Sequence, residues 1–411
     1  MSSISASHPV LIAGAGLGGL CLAQALKKHS IPFKIFERDF KQDFRAQGFR
    51  LRISEDGITA LQYALSPEIW NLFEKTSAEI LGLGHLGRLD ALTAEPLPAG
   101  GPPPGARGGL QPFTVDRTTM REVLLTKLED ETQFGKYVTH FESNETGVTV
   151  HFADGTSESG ALLVGADGVK STVRKQLLPD YPFLDSGSRI IYGKTPLTHQ
   201  VEAELSDNLL GGMCLLKEDE ANGVPKTMLL EAMRFPKASS TIEHINLPTD
   251  YIYWVLLVRR DDLSIPDAEL LSLSNEQSSD LALSLTEKWH PSIKPAVIHQ
   301  DRSQTATLRV HSVDPAIPDW QASTNVTLIG DSIHAMPPTG GMGVNTALRD
   351  ASDLARRLVD AHHCEKSLDG LVAEYEQNLR LFARKPLATS WMAGSKAFGL
   401  QPVEQCERLS F

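Results

Sequence analysis

The sequence predicts a chain of class α/β + α+β: a parallel sheet flanked by helices, and a second, smaller domain on a largely antiparallel sheet. Three observations carry this. Strand–turn–helix junctions with glycine or aspartate at the turn recur near residues 10–29, 162–174 and 326–361. Between 186 and 301, strand-like stretches follow one another with one helical region. At 411 residues, the chain is long for one hydrophobic core.

The first junction organises the rest. Val10-Leu11-Ile12-Ala13 is an apolar run that reads as a buried strand, and a helix-like segment covers Leu20 to His29. Between them Gly14, Gly16 and Gly19 hold the G-x-G-x-x-G spacing. The first glycine allows the tight turn, the second lets backbone approach a pyrophosphate, and the third lets helix pack on strand. The helix start then offers unpaired N–H groups and a positive dipole end to the phosphates. A second strand, Phe33 to Phe36, ends in Glu37, 18 positions beyond Gly19, where a carboxylate accepts from a ribose hydroxyl. An acid there fits FAD or NAD better than NADP, although Arg38 beside it is able to take a 2′-phosphate. The frame is Rossmann-like.

Composition narrows the classes. Apolar residues make up 41% and charged residues 22%, ordinary for a globular chain. A net charge of −12 without a basic cluster argues against nucleic acid as a partner. Cys21, Cys214, Cys364 and Cys406 form no C-x-x-C, which argues against a metal or disulfide framework and for a reducing compartment. No apolar run reaches the length of a membrane span, and residues 1–9 lack the pattern of a signal peptide. A cytoplasmic location is the expectation that remains.

Further along, Gln47 to Ile53 alternates apolar and basic residues and reads as a strand with one buried face. Gly82 to Gly87 repeats the glycine spacing without a following helix, so it fails the context test. Residues 94–109 are a Pro/Gly-rich loop, either a connection or a flap. Asp116 caps a helix whose first turn holds Arg117, a cation at an unfavourable dipole end, which an anionic ligand would explain. Val148–Phe152 and Leu162–Val164 are strands, with a hairpin turn at Ala153–Thr156 between them. Gly165-Ala166-Asp167-Gly168 makes the second junction, and Gly330-Asp331 through Asn345 the third. Helices over Leu368–Phe382 and Pro386–Lys396 complete the chain.

With these three junctions in order, the sequence resembles the FAD-dependent aromatic hydroxylases, single-component flavoprotein monooxygenases of the para-hydroxybenzoate hydroxylase type, in particular members from fungal secondary metabolism. The glycine motif with Glu37 matches the family's ADP site. Asp167-Gly168 with Ser171 and Arg174 matches its Asp-Gly motif, and Gly330-Asp331 with Pro337-Pro338 and Gly340 to Asn345 its Gly-Asp motif. The resemblance implies an FAD-binding domain in three parts (1–76, 110–185 and 302–365), a crossing segment at 77–109, a substrate domain at 186–301 and C-terminal helices from 366 to 411. It implies FAD contacts at Gly14, Gly16, Leu17, Gly19, Glu37, Arg38, Gly48, Arg117, Asp167, Asp331, Pro338, Gly341, Gly343, Val344 and Asn345. Asp331 would take the ribityl hydroxyls, and backbone N–H groups of 341–345 the flavin's pyrimidine edge. Asp167 is associated with both FAD and NAD(P)H, and His334 reads as a packing histidine.

One departure stands out. Several fungal relatives carry arginine before a glycine on the first substrate-domain strand, where this chain has Tyr192-Gly193. Tyrosine cannot neutralise an anion at pH 7. A neutral, larger substrate gains, with Tyr192 as the catalytic candidate and Arg189 or Lys194 as substitute cations. The resemblance implies that NADPH or NADH reduces bound FAD, O2 adds, and a flavin C4a-hydroperoxide hydroxylates an aromatic or polycyclic small molecule. Epoxidation or Baeyer–Villiger oxygenation on the same fold is the alternative, and a flavin-binding protein without turnover is the alternative of another class.

Overall fold

The computed structural model describes residues 4–40, 50–80, 86–98, 110–219, 225–237, 241–364, 368 and 370–409. A five-stranded parallel sheet runs in the order Val326–Leu328, Leu162–Gly165, Val10–Ala13, Phe33–Glu37, Thr132–Phe134. The strand Val10–Ala13 (β1) is central, with Val10 aligned to Leu162 on one side and Phe33 on the other. All four of its residues are buried, as in a sheet covered on both faces. Its helix, Leu17–Lys28 (α1), lies against helix Met342–His363, where Gly18 leaves room for Ala347.

The second sheet has seven strands. Along its path lie Ala306–Val313, Phe183–Pro196, Tyr251–Arg259, Lys226–Met233, Cys214–Glu218 and Gly87–Asp90, with Glu407–Leu409 pairing Phe183–Asp185. Every pair is antiparallel except Cys214–Glu218 with Gly87–Asp90. This sheet draws strands from well outside 186–301, because its edges pair by backbone and carry no apolar signature. Alternation divides its faces. Met228, Leu230, Trp254 and Leu256 pack with Ala282 and Trp289 of the helical region. Tyr192, Tyr253, Val255 and Leu257 form the other apolar face.

Two expectations change. The turn at 153–156 joins Gly147–Phe152 to Ser157–Gly160, while Leu162–Gly165 enters the parallel sheet. The strand Ser157–Gly160 is polar and so silent in hydropathy. The C-terminal pair of helices is one helix, Leu371–Phe398, running through Pro386. Proline removes one ladder bond and crowds the preceding turn. Here the buried stripe Tyr375, Leu379, Ala383, Pro386, Leu387, Trp391 continues across it, and packing overrides the local preference. Among the described residues no helix is long and apolar enough to cross a membrane.

One buried carboxyl on this helix gives a pH prediction. Glu376 accepts from Thr327 Oγ1 at 2.9 Å and Trp320 Nε1 at 2.6 Å. Burial pushes it up to about 7 from an ordinary 4.5, against those hydrogen bonds. The folded state therefore keeps a proton that the unfolded chain releases. Its contribution is full below about pH 4.5 and is lost as pH rises to about 7, a fall of about 3 kcal/mol. Urea unfolding at a series of pH values should show that fall, and Glu376→Gln should flatten it.

Candidate functional site

At the first junction, Gly14 has φ +113°, and a Cβ there would sit 2.4 Å from the Ala166 carbonyl oxygen. The first and second junctions therefore touch backbone to backbone. A Cβ on Gly19 would lie 2.3 Å from the Gly14 oxygen, so the third glycine seats helix on turn. No side chain caps α1. Its first N–H groups are left for water or an anion.

Glu37 is buried at the end of Phe33–Glu37 (β2). One carboxylate oxygen accepts from the Ala15 N–H at 2.8 Å and the other from the Asp39 N–H at 3.1 Å. Arg121 donates to the Ala15 carbonyl at 2.7 Å and reaches Glu37 at 3.5 Å. A carboxylate has about four lone-pair positions, so capacity for a hydroxyl donor remains. Arg121 was not foreseen. It lies four residues after Arg117, one helical turn along the same face, and that spacing was the available signal.

A cleft of about 1070 Å³, counting its open mouth, gathers these groups. Gly14, Gly16, Leu17, Glu37, Arg38, Arg117 and Asp167 all line it, with Arg121, Lys136 and Tyr137. Asp167 accepts from the Thr172 N–H at 2.7 Å through one oxygen, while the other is buried with no hydrogen-bond partner. Burial holds its pKa above the ordinary value, partly countered by the Ser171 hydroxyl and the Thr172 N–H.

The third junction is stitched to the second. Arg174 donates to the Val169 and Ser332 carbonyls at 2.9 and 3.0 Å, and Ser332 Oγ to the Gly165 carbonyl at 2.8 Å. Asp331 is exposed at the start of a short helix, Asp331–His334. His334 Nε2 pairs with Asp350, which also accepts from the Gly330 N–H. Burial opposes the charged ring, yet the Asp350 carboxylate outweighs it and holds His334 above its ordinary pKa.

Helix Met342–His363 starts at Gly341, left-handed at φ +62°, without a side-chain cap. A Cβ on Gly341 would meet nothing within 4 Å, so the ground before this helix start is open. Gly343 and Val344 occupy its first turn, and Pro338 lies exposed before it. The Asn345 side chain is committed elsewhere. It donates to the Arg52 and Gly341 carbonyls at 2.9 and 2.8 Å and accepts from the Ser54 N–H at 2.8 Å. Asn345 thus ties the helix start to strand Arg50–Ile53. Gly48 lies outside the described residues.

Tyr192 lies on the apolar face of the second sheet, its ring 6.2 Å from that of Tyr253. Burial raises its phenol to about 12, with Arg117 pulling down and Asp331 pushing up. The helix that begins at Arg117, the third junction and the sheet thus act on one phenol that stays neutral at pH 7. Neither substitute cation is available. Arg189 is clamped by Asp185 at 2.8 Å and Asp267 at 2.6 Å, and Lys194 lies 2.8 Å from Asp116. Arg50 and Arg52 are both buried against Glu231. The alternation at 47–53 marked a strand, but its basic positions are buried along with Ile53.

The third glycine gives a direct test of the cradle. Gly19→Ala would force a methyl against the Gly14 carbonyl. Overpacking of this kind costs about 1–3 kcal/mol of folding stability, read by urea unfolding.

A family model described as "FAD binding domain" matches residues 117–390. The chain is 37% identical to the dual O-methyltransferase/FAD-dependent monooxygenase CTB3 of Cercospora beticola, over 98% of this chain and 48% of that protein. It therefore spans about half the length of that curated relative. It is 29% identical to the FAD-dependent monooxygenase thnD of Trichoderma harzianum, covering 96% of this chain and 95% of that one. Among solved structures, a candidate FAD-containing monooxygenase from Photorhabdus luminescens superposes with a TM-score of 0.80 at 31% identity, covering 95% and 99% of the two chains.

Proposed function

The chain belongs to the FAD binding domain family, and on that premise we propose that it is an FAD-dependent monooxygenase that uses NAD(P)H and O2 to hydroxylate an aromatic or polycyclic small molecule. The observation that carries this reading is the convergence of Gly14, Glu37, Arg117 and Asp167 on one cleft, with Tyr192 in electrostatic reach of both Arg117 and Asp331.

The cleft fits the cofactor. A Cβ at Gly14 or Gly19 would break the cradle, two helix starts lack side-chain caps, and one Asp167 oxygen is buried without a partner. Glu37 would hold the adenosine ribose, and the N–H groups at the start of α1 the pyrophosphate. Asp331 would take the ribityl hydroxyls, Arg117 would neutralise phosphate, and the N-terminus of Met342–His363 would face the pyrimidine edge. Bound FAD would supply electron transfer from NAD(P)H and oxygen-transfer chemistry, which explains why no nucleophile or metal motif is needed.

The chain's own residues would bind and orient the substrate. Tyr253, Val255 and Leu257 offer an apolar wall that excludes water. Tyr192, neutral at pH 7, would donate or accept one hydrogen bond. Arg50 and Arg52 outnumber Glu231 and leave excess positive charge, which supports a phenolic or enolic substrate. The methyltransferase named in the Cercospora relative supports the same class, since such an enzyme acts on an oxygen.

The test is to purify the full chain, record flavin absorbance, and measure NADPH and NADH oxidation across a panel of phenols under labelled O2. One labelled oxygen atom in the product is the expected result. Substrate-stimulated oxidation that yields only peroxide would overturn the hydroxylase reading.

A further inference from the structure

Away from the cleft, strands Val138–Asn144 and Gly147–Phe152 form a hairpin. His140 pairs directly across the ladder with His151, just after an irregularity that shifts the register beyond Val138. Their rings stack in parallel, 4.3 Å between centroids and 2° apart in plane. Glu142, two residues on from His140, projects from the same face. Its Oε1 lies 3.5 Å from His151 Nε2. One ligand atom from each of the three residues lies within 4.8 Å of the other two.

Hydrogen bonds prepare the nitrogens. Thr139 Oγ1 donates to the His151 carbonyl at 3.1 Å and lies 3.1 Å from His140 Nδ1. With its proton committed, that hydroxyl is an acceptor, so Nδ1 carries the hydrogen and Nε2 presents a lone pair. His151 Nε2 is shielded from water and has no hydrogen-bond partner. Two stacked imidazoles repel each other when protonated, but one cation shared between them is attracted to both and to Glu142.

We propose that His140, Glu142 and His151 bind a divalent transition-metal ion, with zinc the ion that suits them. Two imidazoles and a carboxylate are a zinc ligand set, and solvent completes an open site. Binding requires the ligand atoms to close to about 3.3 Å, the edge of a tetrahedron with metal–ligand bonds of about 2.0 Å. Side-chain rotation on a fixed hairpin supplies that movement. Thr139 is a positioning residue, since it sets the His140 tautomer. Lys136, Tyr137 and Val138, which lead into the hairpin, line the nucleotide cleft, so the metal would staple the wall beside the site. The histidines are eleven residues apart, and only strand pairing brings them together.

The experiment is calorimetric titration of ZnCl2 into the untagged 411-residue chain, with Co2+ absorption as a second readout. One saturable equivalent is expected, together with a Co2+ band of four-coordinate intensity. Both should disappear in the His140→Ala/His151→Ala variant, whose melting temperature without metal should match wild type. Thr139→Val should weaken zinc about 10–100-fold, the range for outer-sphere partners of ligating histidines. Glu142→Gln should weaken it by at least as much. Absence of stoichiometric binding would overturn the proposal. So would binding that survives the double variant and is lost instead on replacing the adjacent pair His362 and His363.

Discussion

Asp116→Ala is expected to lower folding stability by about 4–6 kcal/mol, because this one carboxylate caps a helix and ties it to the seven-stranded sheet. One oxygen caps helix Arg117–Leu125, accepting from the Thr118 and Thr119 N–H groups at 2.9 and 3.1 Å. The other accepts from Lys194 Nζ at 2.8 Å and the Tyr251 hydroxyl at 2.9 Å. The carboxylate is 2% exposed, and Lys194 also lies over the Tyr251 ring at 4.3 Å. Loss of a cap costs about 1 kcal/mol, and removing one member of a buried ion pair about 3–5. Urea unfolding checks the sum. Asp116→Asn should lose less, since an amide still caps. Adding Lys194→Met to Asp116→Asn should recover part of the loss, because removing both charges is cheaper than stranding one. Arg117 and Arg121 ride on the helix that Asp116 starts, so flavin affinity should fall with stability.

That linkage shows where sequence reading stops. Asp116 is legible as a cap because capping is local, and Arg117 invites a ligand because its dipole environment is local. Lys194 lies 78 positions away, and nothing in the spacing points it at Asp116. The three junctions were visible for the same reason that Asp116 was: a glycine turn between a buried strand and a helix is a short-range constraint. Arg50 and Arg52 illustrate the converse. Period-two alternation marks a strand but does not say which face meets the interior, and here the partner that lets both arginines be buried, Glu231, comes from the seven-stranded sheet, 179 positions beyond Arg52. The helix through Pro386 fails locally and succeeds by packing. Asn345 is legible in its motif for the backbone N–H it offers, but the bonds of its side chain to Arg52 and Ser54, 293 and 291 positions away, are not.

Glu231→Ala is expected to cost about 3–5 kcal/mol, the effect of leaving buried cations without their counter-ion. Glu231 pairs with Arg50 through one oxygen and with Arg52, at 2.7 Å, through the other; the three side chains are 5–7% exposed. Burial already depresses the Arg52 pKa, Arg50 depresses it further, and Glu231 alone works against both. Without Glu231, two guanidinium groups face each other in a region of low polarity. Strand Arg50–Ile53 should then move, and the Arg52 carbonyl, which accepts from Asn345 Nδ2 at 2.9 Å, carries that movement to the start of helix Met342–His363. The prediction therefore has two readouts: a lower urea midpoint, and a flavin spectrum shifted from wild type in the protein that remains folded. Glu231→Ala combined with Arg52→Ala should restore the midpoint in part, since a single arginine has more freedom to reach water. If the single variant kept wild-type stability, Arg50 and Arg52 would have to be solvated already, and the excess charge assigned to the substrate wall would be lost to water.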